Sequence, residues 1–235
     1  MIVTGRPYWE AWMNQNKIST PSPEDCDSLL NISLDQRSLI IAANRGPVTL
    51  EKQSDGSIEF QRGSGGLVTA LIGLAQHVEV RWIACPMTDA DEEWHTGVVT
   101  LSEQVEQIRV QFLSPEKEAY ERYYNVIANP LLWFLQHSMW DVPRAPIIDK
   151  ETWQAWENGY VPINKNFADA IIENVYGVRR SPLVMIQDYH LYLVARLVRS
   201  GIKPSKRPTI LHFIHIPWPG PEYWQILPPP CATRY

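Results

Sequence analysis

No run in this 235-residue sequence approaches the ~18 consecutive apolar residues of a membrane span, and the opening "MIVTGRPYWEAWMNQNK" lacks a basic segment followed by an apolar one. Membrane insertion and secretion are therefore disfavoured. Clustered positive charge is also scarce: 21 Lys and Arg stand against 26 Asp and Glu, net −5, and the densest basic stretch is the loop "KPSKRP". Nucleic acid is disfavoured as a partner on that ground. Only three cysteines occur, Cys26, Cys85 and Cys231, far apart and without CxxC or Cys/His metal spacing. An odd number so placed makes no disulfide framework and reads as reduced thiols of a cytoplasmic protein. The glycine spacings of GxGxxG and of a Walker loop are missing, and so is any internal repeat.

What is present is a globular chain, 45% hydrophobic, with material for one large or two small cores. Residues 1–37 show no period and contain "STPSPEDCDS", so they read as an N-terminal extension or linker. From Ser38 the text becomes "SLIIAANRGPV", an apolar run ending in Asn44 and Arg45, which predicts a buried strand. Two short segments around Asp55-Gly56 predict a hairpin. Glycines at 63, 65 and 66 then precede Leu67, Ala70, Leu71 and Leu74 at helical spacing, which places the glycines at a helix N-terminus.

Farther on, "EVRWIACP" predicts a second strand, "PLVMIQDYH" a third ending at Asp188, and "TILHFIHIP" a fourth ending at His215. Between them, "SPEKEAYERYYNVIANPLLWFLQHSMWD" predicts two helices broken near Asn129 by Pro130. Phe167, Ala170, Ile171 and Val175 form another helical stripe, and "YLVARLVRSG" a helix stopped by Gly201. Strands alternating with helices predict an α/β fold: a Rossmann-like, mostly parallel sheet with helices on both faces.

In such a sheet every parallel strand delivers its C-terminal end to one edge, where ligands bind. Asn44-Arg45, Asp188 and His215 would then face a single cleft. The Gly65-Gly66 turn adds backbone N–H groups suited to phosphate. Each residue also has an ordinary structural role open to it: Arg45 in a surface ion pair, Asp188 as a helix cap, His215 in a satisfied loop. His190 and His212 carry less weight, His212 facing away from Phe213 and His215 by strand parity. Asp89-Ala90-Asp91 mimics a metal-binding Asp-x-Asp, but within "TDADEEW" it reads as a solvated acidic turn.

Six blocks in order, "AANRGPV", "GSGGLVTAL", "YYNVIANPLLW", "WENGYVPINKNFA", "QDYHLYLV" and "HFIHIPWPGPEYWQILP", resemble the N-terminal half of glycosyltransferase family 20, the family of the trehalose-phosphate synthases. The resemblance runs from Ser38 to Pro228. It implies the acceptor-side domain of a GT-B glycosyltransferase over 38–228, followed by a divergent tail at 229–235. It further implies retaining transfer of glucose from a nucleotide sugar such as UDP-glucose to glucose 6-phosphate, with no metal or other cofactor. By motif, Arg45 would grip the acceptor phosphate, Tyr124 would share it, and Trp133 would wall the sugar. Gly66, beside Gly65, would meet the donor diphosphate, Asp188 an acceptor hydroxyl and His215 the transferred glucose. The leaving diphosphate itself would help deprotonate the incoming hydroxyl, so no protein nucleophile is implied.

Two departures stand out. Trp218 replaces the Phe usual in the "HIPWP" block, which leaves other polyol or pseudo-sugar acceptors open. After Leu227-Pro228 the chain reads "PPCATRY" where the family goes on to an arginine-bearing helix. A truncated half is therefore expected, inactive or incomplete alone and prone to self-association through its exposed interface. A non-catalytic phosphosugar-binding module and an unrelated nucleotide-binding Rossmann domain are the competing readings.

Overall fold

The computed structural model describes residues 37–63, 68, 78–100, 107–139 and 145–227. The chain divides into a unit of Met1–Gln36 and a unit of Arg37–Tyr235. The expected extension up to Gln36, the Gly65-Gly66 turn with its helix, and the tail at 229–235 lie outside the described residues.

The first strand, β1 (Arg37–Ala42), is apolar on both sides and buried throughout its last five residues, as a central parallel strand must be. The hairpin follows as β2 (Val48–Lys52) and β3 (Ile58–Arg62), antiparallel, with Gly56 at φ 84 in its turn. Next come β4 (Glu79–Ala84), the helix α1 (Asp89–Trp94), β5 (Thr96–Val99) and β6 (Ile108–Phe112). Two long helical runs intervene: α2 (Lys117–Arg122, Tyr123–Trp133 and Phe134–Gln136) and α3 (Lys150–Ala155, Trp156–Tyr160 and Val161–Gly177). The described part closes with β7 (Ser181–Gln187), α4 (Val194–Gly201), β8 (Thr209–Phe213) and α5 (Pro221–Trp224).

Strand order in the sheet is β5-β6-β4-β1-β7-β8. All neighbours are parallel except β5, which pairs antiparallel with β6. Neither β5 nor β6 was legible beforehand. The first has only four residues, and the second alternates buried Ile108, Val110 and Phe112 with polar neighbours rather than forming a run. The order reverses at β1: the chain moves outward to β4 and β6, then returns to lay β7 against the other side. That reversal opens a crevice between the C-terminal ends of β1 and β7.

One sheet face, with Ile40, Ala42, Ile83, Val184 and Ile186, packs on α2, α3 and α4. The helical stripe Phe167, Ala170, Ile171 and Val175 is buried there as expected. On the opposite face Phe112 meets Trp94 of α1 edge-on at 6.1 Å. The Asp89-Ala90-Asp91 stretch is not a solvated turn. Asp91 is fully buried, and its carboxylate accepts from the backbone N–H groups of Leu50 (2.8 Å), Met87 (2.8 Å) and Thr88 (3.2 Å), tying the hairpin to α1. Three such donors offset the cost of taking the carboxylate out of water.

Pro130 does not break α2. The run stays helical because its centre, Tyr123–Trp133, is a π-helix with Pro130 inside it. In an α-helix the proline ring strikes the carbonyl four residues back; the wider turn moves that carbonyl away. A second π segment, Trp156–Tyr160, lies against the first. Where the two runs touch, a Cβ on Gly159 would lie 2.6 Å from Arg122 Cβ and 2.8 Å from the Tyr123 backbone nitrogen. Only glycine allows that approach. Gly159→Ala should therefore cost about 1–3 kcal/mol of stability, read from urea unfolding midpoints. An unchanged midpoint would show that α2 yields freely.

Candidate functional site

The backbone brings the expected residues to one edge. Ala42 of β1 lies opposite Ile186 of β7, and Gln187 lies opposite Phe213 of β8. The segments beyond these pairs therefore emerge side by side, Asn44-Arg45 and His215 being separated by about two strand spacings, roughly 10 Å. Residues some 170 positions apart in sequence share one rim.

Asn44 is 7% exposed and its side chain is occupied. Its Nδ2 donates to the Tyr120 hydroxyl (3.3 Å), and its Oδ1 accepts from the Tyr123 hydroxyl (3.1 Å). It joins the end of β1 to α2 rather than facing the cleft. Arg45 does face outward: it is exposed and has no ion-pair partner among the described residues. Its carbonyl accepts from Trp82 Nε1 (3.2 Å), which anchors the loop.

Beside Arg45 stands a stack of rings. Tyr124 lies parallel to Tyr120, centroids 5.7 Å apart at 9°, and to His190, 5.7 Å at 17°. His190 in turn stacks on Tyr189 at 4.1 Å. The sequence reading undervalued His190, whose only signal is its place two residues after a strand-ending aspartate. Burial, and secondarily the Arg45 charge, push its pKa down to about 4, so the ring is neutral. Burial likewise raises the phenol pKa values of Tyr120 and Tyr189, which keeps their hydroxyls protonated as donors.

Trp133 is half-buried and meets His137 at 4.1 Å, not Tyr124. Nine residues of α-helix would set Tyr124 and Trp133 on opposite sides. The π turn, roughly four to five residues, makes nine residues about two turns, so both project from the same side. Asn129, between them, accepts from the Tyr189 hydroxyl (2.9 Å).

At the end of β7, Asp188 adopts φ 68 and ψ 174, a region nearly reserved for glycine. Several bonds hold it there. Its N–H donates to Phe213 O (2.7 Å), its carbonyl meets His212 Nε2 (2.9 Å), and its Oδ1 accepts from Tyr189 N (2.9 Å) and His215 N (3.5 Å). His212, also undervalued, is what grips the carbonyl of this strained residue. Asp188 does cap the following turn, but it caps from a conformation that capping alone does not require. β8 ends at Phe213 instead of His215, because β7 turns away at Asp188 and leaves nothing to pair with. His215 is exposed, two residues beyond, with its Nε2 2.9 Å from Gln187 Oε1. Gly65 and Gly66 lie outside the described residues.

Among the described residues no group of three His, Cys, Asp or Glu is placed to hold a metal. Nor is any of their helices long and apolar enough to cross a membrane. A mostly parallel six-stranded sheet whose order reverses at β1 defines a Rossmann-like α/β domain, a fold shared with GT-B glycosyltransferases. The chain belongs to glycosyltransferase family 20, whose model matches residues 37–232. It is 32% identical over 203 residues to an alpha,alpha-trehalose-phosphate synthase [UDP-forming] of Schizosaccharomyces pombe, covering 86% of this chain and 37% of that protein. The E. coli structure bound with UDP-2-fluoro glucose superposes with a TM-score of 0.60 at 22% identity, over 84% of this chain and 37% of the other. A synthase from Burkholderia xenovorans in complex with glucose-6-phosphate gives 0.56 at 19% identity, over 81% and 36%. The chain thus spans little more than a third of the relatives it matches.

Two outcomes follow. His190 is neutral when folded and binds a proton when unfolded below its ordinary pKa of about 6.5. Stability should therefore fall as pH drops from about 6.5 towards 4, by on the order of 3 kcal/mol from this group. His190→Phe should flatten that part of the pH–stability curve, and parallel curves would refute the assignment. Glycine is normally less stable than alanine, but at Asp188 the order should reverse. Both variants lose the side-chain bonds, while only Asp188→Gly is relieved of about 1–3 kcal/mol of backbone strain, measurable as a higher Tm than Asp188→Ala.

Proposed function

We propose that this chain is the acceptor-binding part of a retaining glycosyltransferase of the trehalose-phosphate synthase type, taking glucose 6-phosphate as acceptor and UDP-glucose as donor. One observation carries the reading: an exposed guanidinium with no ion-pair partner among the described residues, a stacked tyrosine, a strained aspartate and a histidine lie at the switch-point rim. The names of the curated relatives and the glucose-6-phosphate complex of the Burkholderia protein support it.

In this reading the Arg45 fork binds two oxygens of the acceptor phosphate, and the Tyr124 hydroxyl donates to a third. Neutral His190 stacks on Tyr124 without adding a competing charge. Asp188 accepts a hydrogen bond from an acceptor hydroxyl and so aims it, while His215 holds the donor sugar. Trp133 extends the acceptor wall from the same side of α2 as Tyr124. The Gly65-Gly66 backbone would approach the donor diphosphate. Attack and departure occur on the same face: the hydroxyl oxygen bonds to the anomeric carbon as the diphosphate leaves, and the leaving oxygen takes the hydroxyl proton. The protein's share is orientation and exclusion of water, with no residue acting as nucleophile and no metal called for. Cytoplasmic residence belongs to the same reading, since Cys85 is buried and free.

A second reading is a phosphosugar-binding module without turnover. It is favoured by the balance of the described site groups, since Arg45, Tyr124, Trp133 and Asp188 act in this reading on the acceptor and only His215 on the donor sugar. Calorimetry with glucose 6-phosphate tests what the two share. Arg45→Ala should lose about 1.5–3 kcal/mol of binding, roughly tenfold to 150-fold in Kd. Equal heats for both proteins would sink both readings. UDP release from UDP-glucose in the presence of glucose 6-phosphate separates them: release above background favours the enzyme, binding without release the module.

A further inference from the structure

We propose that Gln187 is a positioning residue for His215: it holds the Nε2–H of the imidazole, so that unprotonated Nδ1 alone remains to accept a hydroxyl from a ligand in the cleft. The inference deepens the reading above, since it rests on His215 facing bound sugar.

Gln187 is 2% exposed, and its Oε1 lies 2.9 Å from His215 Nε2. The other end of the amide, Nε2, is buried with no partner among the described residues. Such a half-satisfied group lowers stability, and a leucine or methionine of similar volume would avoid the loss. A role in folding therefore does not account for a glutamine here. A role in holding the ring does. His215 lies on an exposed segment beyond the last paired residue of β8, where a free imidazole would turn and exchange the roles of its two nitrogens. The end of β7 grips it twice: the backbone N–H of His215 meets Asp188 Oδ1, and the ring meets Gln187. Phe213, at 4.5 Å from the imidazole, limits tilting on one side. Two adjacent residues, one strained and one half-satisfied, thus bear on the same histidine.

The test is the 15N spectrum of the imidazole nitrogens in the full 235-residue chain, with His215 assigned through His215→Gln. The wild type should show the two well-separated resonances of one neutral Nε2–H tautomer. Gln187→Leu and Gln187→Met should both collapse them towards the averaged positions of a free ring, with Tm equal to or above wild type. Two variants are used so that misfolding of one leaves the measurement intact. A wild-type ring in the Nδ1–H form overturns the proposal, as does a spectrum unchanged by either folded substitution. No ligand enters this measurement, so its failure is distinct from failure of the glucose 6-phosphate test.

Discussion

Parallel pairing of β1 with β7 sets the heights at which Asn44-Arg45 and Asp188 leave the sheet, and the arrangement of the cleft follows from that register. Six consecutive residue pairs hold it, most of them buried, so a slip would exchange the side chains packed on the two faces and leave buried backbone groups unpaired at the strand ends. Because β7 also pairs in register with β8, the same constraint fixes where His215 emerges. The hairpin and α1 could shift without moving the rim; β7 could not.

Around that fixed edge the molecule accepts local costs. Asp188 occupies a glycine-like backbone conformation, Gln187 buries an amide with one end unmet, and α2 is widened into a π-helix around Tyr124. The unmet end of that amide has no partner among the described residues. The clustering of these costs within one strand end and the helix facing it is the pattern expected where strain organises a site rather than a core. The surrounding core is dense enough to hold them: Tyr123 and Tyr160 are fully buried, and Tyr160 donates to the Tyr189 carbonyl at 2.7 Å.

Electrostatically the rim is spare. Arg45 is its one unpaired cation among the described residues, set in a chain of net charge −5. The neighbouring phenols stay protonated and His190 stays neutral, both chiefly through burial. A lone guanidinium beside hydroxyl donors, with no carboxylate paired to it, suits a single anionic group rather than a polyanion.

The sequence by itself determined the α/β class and which strand ends carry polar groups, because buried parallel strands must be apolar runs and their ends must not. It also offered Arg45, Tyr124, Asp188 and His215 as candidates, through motifs that resemble those of a known family. It could not show that Asn44 is turned to α2, that Pro130 sits inside a continuous helix, or that Asp91 is buried. The first and last depend on partners 40 to 80 residues away, Tyr120 and Tyr123 for Asn44 and Leu50 for Asp91; the second depends on a local widening into a π-helix. His190, His212 and Gln187 gain meaning only when β7 and β8 lie side by side against α2. An imidazole's role is set by what touches each nitrogen, and only the folded chain decides that.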